Sequence, residues 1–168
     1  STDDKGMPTG NPRQFKGYTL SRFQQQAAEA LDADRNVLVA APTGAGKTLV
    51  AEYAIHRALE RGQRAIYTAP IKALSNQKFR DFVADPEIPS AGLMTGDITI
   101  NPHGRVLVMT TEILRNTLAE APEQLADVGV VVFDEIHYMD DIDRGSVWEE
   151  SLIFLNPEIE IVGLSATI

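Results

Sequence analysis

Val37-Leu38-Val39-Ala40-Ala41-Pro42-Thr43-Gly44-Ala45-Gly46-Lys47-Thr48 is the stretch on which the reading of this chain turns. Val37 to Ala40 is an apolar run that fits a short buried strand. From Leu49 to Leu59 apolar residues recur at helical spacing. The order is strand, glycine-rich loop, helix, which is the context a P-loop requires. Gly44 and Gly46 let the backbone turn tightly and bring its N–H groups to phosphate oxygens. The helix adds the positive end of its dipole. Lys47 is a point charge within reach of β and γ phosphates. The Thr48 hydroxyl suits Mg²⁺, a cation that keeps several waters and takes few protein ligands. A merely tight connection needs neither the Gly-Lys-Thr ending nor the strand before it.

Outward from this stretch, strands and helices alternate. Arg22 to Asp32 reads as a helix with Ser21 as its N-cap. After the P-loop helix, Gly62 supplies a C-cap. Arg64 to Ala69 is a strand, and Pro70 opens a helix from Ile71 to Val83. Ala91 to Met94 and Val106 to Met109 are short strands, and Thr110 or Thr111 caps a helix from Glu112 to Ala119. Val128 to Phe133 is a continuous apolar run, the mark of a strand buried on both faces. Ser146 caps a helix from Val147 to Leu155, and Glu160 to Leu164 is the last strand. This alternation predicts an α/β domain over 13–168, with a parallel sheet covered on both sides. Residues 1–12, polar and rich in Gly and Pro, are expected to form a mobile leader. The longest loop, Thr95 to Arg105, is left without regular structure.

Composition narrows the function classes. A chain of 168 residues with 43% hydrophobic residues can bury a core, and the absence of Cys excludes disulfides and Cys-ligated zinc or iron–sulfur sites. There is no signal-peptide pattern and no apolar run near the length of a membrane span. A soluble chain in the cytoplasm, without a membrane partner, is expected. The net charge of −9 argues against a general electrostatic grip on nucleic acid. Its distribution tempers that argument. Residues 11–80 hold 11 Lys and Arg against 5 Asp and Glu, whereas residues 81–168 hold 3 against 17. Any phosphate-binding surface should therefore draw on the first half or on backbone N–H groups.

A second chemical cluster, Asp134-Glu135-Ile136-His137, follows the buried strand directly. An Asp at the carboxyl end of such a strand can hold Mg²⁺ beside a P-loop. The next Glu can orient and deprotonate an attacking water. His137, like His56 and His103, is by itself more often a packed residue than a catalyst.

These segments carry a family resemblance. Ala41–Thr48, Asp134–His137 and Ser165-Ala166-Thr167 resemble motifs I, II and III of superfamily 2 DExH-box helicases. Ala69-Pro70-Ile71-Lys72-Ala73-Leu74-Ser75-Asn76-Gln77, Thr95-Gly96-Asp97 with Thr99-Ile100-Asn101-Pro102, and Thr110-Thr111-Glu112-Ile113-Leu114 are similar to motifs of the Ski-like RNA helicase branch. So are Tyr138-Met139, Arg144-Gly145 and Val147-Trp148-Glu149-Glu150. The likeness covers about residues 18 to 168 and implies the first RecA-like domain, a three-layer P-loop NTPase fold with a mostly parallel sheet.

The resemblance also implies roles. ATP and Mg²⁺ are the expected cofactors. Gln24, with Gln25 as a second candidate, reads adenine; Thr43, Gly44, Ala45, Gly46, Lys47 and Thr48 hold the phosphates. Thr48 and Asp134 hold the metal, and Glu135 activates water beside Lys47 and Asp134. Pro70, Lys72, Gly96, Thr111 and Glu112 lie on the nucleic-acid path. His137, Ser165 and Thr167 couple the two sites. For Thr111 a plain N-cap, and for Lys72 a solvated charge, is the lesser reading, whereas Trp148 fits core packing better than base stacking. The resemblance places the Ile161–Leu164 strand between the P-loop strand and the Asp134 strand. It further implies a second RecA-like domain supplying an arginine finger, single-stranded RNA as partner and 3′-to-5′ translocation. A monomer is expected. Two other readings stand beside it: a DNA-directed motor, and a nucleotide-dependent interaction module without turnover.

Overall fold

The computed structural model describes residues 13–41, 46–136, 151 and 154–166. Its centre is a seven-stranded sheet built from β3 (Val37–Ala41), β4 (Arg64–Ala69), β5 (Ala91–Met94), β6 (Thr99–Ile100), β7 (Val106–Thr110), β8 (Val128–Ile136) and β9 (Glu160–Ala166). The strands lie in the order β3-β9-β8-β4-β7-β5-β6, all parallel except β6, which runs antiparallel to β5. The last strand does sit between the P-loop strand and the Asp134 strand.

Among the described residues, four α-helices flank the sheet: α1 (Arg22–Asp32), α2 (Lys47–Glu60), α3 (Lys72–Ala84) and α4 (Thr111–Glu120). Successive side chains of a strand face opposite ways, so one strand feeds two cores. Ala65, Tyr67, Val106, Val108, Val130 and Val132 pack with α1, α2 and Phe82 of α3. Ile66, Leu107, Met109, Val131 and Phe133 pack with Leu114 and Leu118 of α4. This two-sided burial is why β4 is buried at every position and why the central strands read as unbroken apolar runs.

Several details depart from the expected pattern. The Thr95–Arg105 loop contains β6, which pairs Leu93 with Ile100 and Met94 with Thr99. Thr110, one of the two expected residues, occupies the N-cap of α4 but makes no side-chain cap bond. An additional hairpin, β1 (Gln14–Phe15) and β2 (Tyr18–Thr19), precedes α1. Its turn residues Lys16 and Gly17 have φ of +52° and +78°, the left-handed pair of a tight hairpin. Phe15 meets Tyr53 and His56 of α2 edge-on, and Lys16 Nζ lies 2.8 Å from Asp85 Oδ2. Arg64, buried at the start of β4, donates to the carbonyls of Gly104, Pro102 and Gln124 and ties two loops to the sheet. The expected leader, residues 1–12, and most of the expected 147–155 helix lie outside the described residues.

Candidate functional site

At the start of α2, Gly46 takes φ +84°. A Cβ there would stand 2.4 Å from Gln24 Nε2. Both backbone conformation and space therefore demand glycine. Gln24 Nε2 donates to the Gly46 carbonyl at 3.0 Å, and its Oε1 accepts the Ser21 N–H at 2.9 Å. Gln24 is thus seated against the P-loop, whereas Gln25 turns away to the Leu20 carbonyl at 3.2 Å. Lys47 Nζ donates to the Ser165 carbonyl at 3.0 Å, across the end of β9. Thr48 is exposed on the first turn of the helix.

Two strands away, the acidic pair occupies a β-bulge. Phe133 pairs with Gly163 and Ile136 with Ser165, so β8 carries one residue more than β9 over this step. Glu135 adopts φ +54° there. Bulges redirect side chains next to active sites, and a non-glycine residue in this conformation persists only where the surroundings enforce it. Asp134 Oδ1 accepts the Glu135 N–H at 2.7 Å, while its Oδ2 accepts the Tyr67 hydroxyl. Burial, then the negative charge of Asp134, push the Tyr67 phenol far above the usual tyrosine range, so it stays a donor. The half-buried Asp134 carboxylate is thus oriented through both oxygens, and a carboxylate is the kind of hard oxygen ligand that a divalent cation takes.

Strand order explains how the remaining residues are arrayed. The carboxyl ends of parallel strands line one edge, where open α/β sheets bind ligands. Along this edge come Ser165 of β9, Asp134 and Glu135 of β8, Pro70 after β4, Thr111 after β7 and Gly96 after β5. At about 4.8 Å per strand, Pro70 begins one strand from the acidic pair and Gly96 lies two further on. Pro70, Gly96 and Glu112 are exposed, whereas Thr111 is buried. Lys72 is exposed, and its Nζ donates to the likewise exposed Asp97, a surface ion pair open to solvent. Thr43, Gly44, Ala45, His137 and Thr167 lie outside the described residues.

Sequence reasoning missed Tyr67 and the bulge. Tyr67 stands in a run read only as a buried strand, and nothing local marks its hydroxyl as facing Asp134. The bulge follows from the register between β8 and β9, which no single segment contains.

Residues 21–168 match the DEAD/DEAH box helicase family. The chain belongs to that family. This helicase domain is 54% identical over 151 residues to the Exosome RNA helicase MTR4 of Homo sapiens, covering 90% of this chain and 14% of that protein. It is 49% identical over 158 residues to the Antiviral helicase SKI2 of Saccharomyces cerevisiae, covering 94% and 12%. The helicase domain thus spans about one seventh or less of these relatives. Among solved structures, the UvsW helicase from Bacteriophage T4 superposes with a TM-score of 0.66 at 21% identity, over 92% of this chain and 55% of that one. At that identity the likeness shows a shared fold, the RecA-like sheet described above.

Proposed function

We propose that this chain is the ATP-binding half of an ATP-dependent RNA helicase or translocase. The supporting observation is the one edge of the sheet that gathers Lys47 and Ser165, the bulged Asp134-Glu135 pair and the Pro70, Thr111 and Gly96 segments. Gln24 flanks the adenine side, and the P-loop N–H groups with Lys47 bind phosphates. To reach a phosphate, Lys47 exchanges the Ser165 carbonyl for a phosphate oxygen. Thr48 and Asp134 would hold Mg²⁺, which when bound offsets charge on the phosphates. Glu135, exposed and turned out by the bulge, takes the proton of the attacking water. Pro70, Lys72, Gly96, Thr111 and Glu112 line the nucleic-acid path, with N–H groups at helix N-termini gripping backbone phosphates. His137, Ser165 and Thr167 sit in the segments proposed to couple the sites. The positive group that stabilises the transferring phosphoryl is placed on a second RecA-like domain of a longer polypeptide. RNA rather than DNA is proposed because the MTR4 relative, at 54% identity, is named an RNA helicase.

Lys47→Ala tests the nucleotide site. It removes a charge-assisted contact of about 1.5–3 kcal/mol, and ADP affinity by calorimetry should fall at least about tenfold. Equal affinities would end this role. ATPase activation of the longer protein by RNA and by DNA of matched length decides the polymer. A cytoplasmic location is also proposed, and fluorescence microscopy of the tagged full-length protein tests it.

A further inference from the structure

Tyr67 is 1% exposed in the interior of β4, 67 residues from Asp134 in sequence, yet its hydroxyl donates to the Asp134 carboxylate. The ring has a fixed seat. Phe82 of α3 meets it edge-on with centroids 5.6 Å apart, and Lys78 Nζ of the same helix lies 5.1 Å from its centroid. The other oxygen of Asp134 is held by the backbone of the bulge. The carboxylate therefore has two restraints of different origin: one belongs to its own strand, and the other reaches it through Tyr67 from α3. A buried tyrosine hydroxyl needs a partner, but that need would be met by any carbonyl. Here it is spent on the charged group proposed to hold the metal.

We propose that Tyr67 is a positioning residue: its hydroxyl, anchored through the ring to α3, holds Asp134 in the orientation a nucleotide-bound divalent cation requires. The inference rests on the Mg-nucleotide reading of the site. The helix supplying Tyr67's seat begins at Lys72, two residues after Pro70, in the segment proposed to face nucleic acid. Outer contacts to metal ligands typically set metal affinity by about 10–100-fold when lost. Removing the hydroxyl alone should thus be felt at the metal and not at the phosphates or base.

The test is Tyr67→Phe, which keeps the ring and its packing. A fluorescent ADP analogue is titrated with this chain at a series of Mg²⁺ concentrations and again in EDTA. The expected result is a half-saturating Mg²⁺ concentration raised about tenfold, with metal-free affinity unchanged. Asp134→Ala is the reference and Phe82→Leu, which loosens the ring's seat, a second variant expected to shift Mg²⁺ dependence in the same direction. Urea unfolding midpoints separate a loss of folding from a loss of positioning. If Asp134→Ala shifts the Mg²⁺ dependence and Tyr67→Phe does not, the positioning role is wrong and the metal reading stands. If neither shifts it, the metal reading itself falls and takes this inference with it.

Discussion

Gly46 shows how much one residue is asked to do at the nucleotide edge. Its left-handed backbone conformation starts α2, and its missing side chain makes room for the Gln24 amide. Gly46→Ala should destabilise the fold by about 1–2 kcal/mol from the left-handed conformation, with the Gln24 clash adding to that. Gln24→Ala in the same chain removes the clash but not the backbone term. Urea unfolding of the two single variants and the double variant should therefore show partial rescue. Full rescue would mean the conformation carries no cost. Glycine at this place was legible from the motif. That Gln24 is the neighbour it accommodates was not, because 22 residues separate them and only packing of α1 beside the loop brings them together.

At the scale of elements, β9 enters the sheet with a buried acid. Glu160 is its first residue, with Arg57 Nη1 of α2 at 3.4 Å. Burial raises its carboxyl to about 6, with the Arg57 charge opposing. The folded state thus binds this proton more tightly than the unfolded chain does. Ionisation of Glu160 costs nothing below about pH 4.5, and the cost grows through the window up to about 6 and is complete above it. Glu160→Gln should be the more stable protein at pH 7, by about 1–2 kcal/mol, and equal to the parent at pH 4. Arg57 keeps Asp34 at 2.8 Å as a partner in that variant. Chemical denaturation at several pH values checks the trend, and a pH-independent difference would contradict it. Most elements here were legible because their apolar periodicity is local. β1, β2 and β6 were not. Each is two residues long, too short to show a period, and exists through its partner strand.

For the whole molecule, charge and architecture set the expected behaviour. The net charge of −9 argues against a broad electrostatic grip on phosphates. Single-stranded RNA should bind weakly and without sequence preference, with a shallow salt slope of about one to three counterions. These 168 residues should bind Mg-ATP but turn it over slowly. An arginine finger is worth roughly 10³–10⁵ in rate, and the proposal places that group on another domain. Binding is a ground-state property and survives its absence, whereas turnover depends on the transition state. Steady-state assays with and without poly-uridine RNA, using Glu135→Gln to expose contaminating activity, check this. Robust Glu135-dependent turnover that rises with RNA would show one domain to be a complete catalyst.

The sequence by itself determined the strand–loop–helix at Val37 to Leu59, the unbroken apolar runs of the central strands and the acidic pair after Phe133. These depend on residues adjacent in the chain, so local chemistry suffices to read them. The place of β9 between β3 and β8 came through family resemblance, since periodicity says which segments are strands and nothing about their neighbours. Tertiary structure alone decided the bulge that turns out Glu135, the Lys47–Ser165 contact and the Tyr67–Asp134 hydrogen bond. Each joins groups on different strands or helices. Register between strands and the seating of a helix set such contacts, and both are properties of the packed chain.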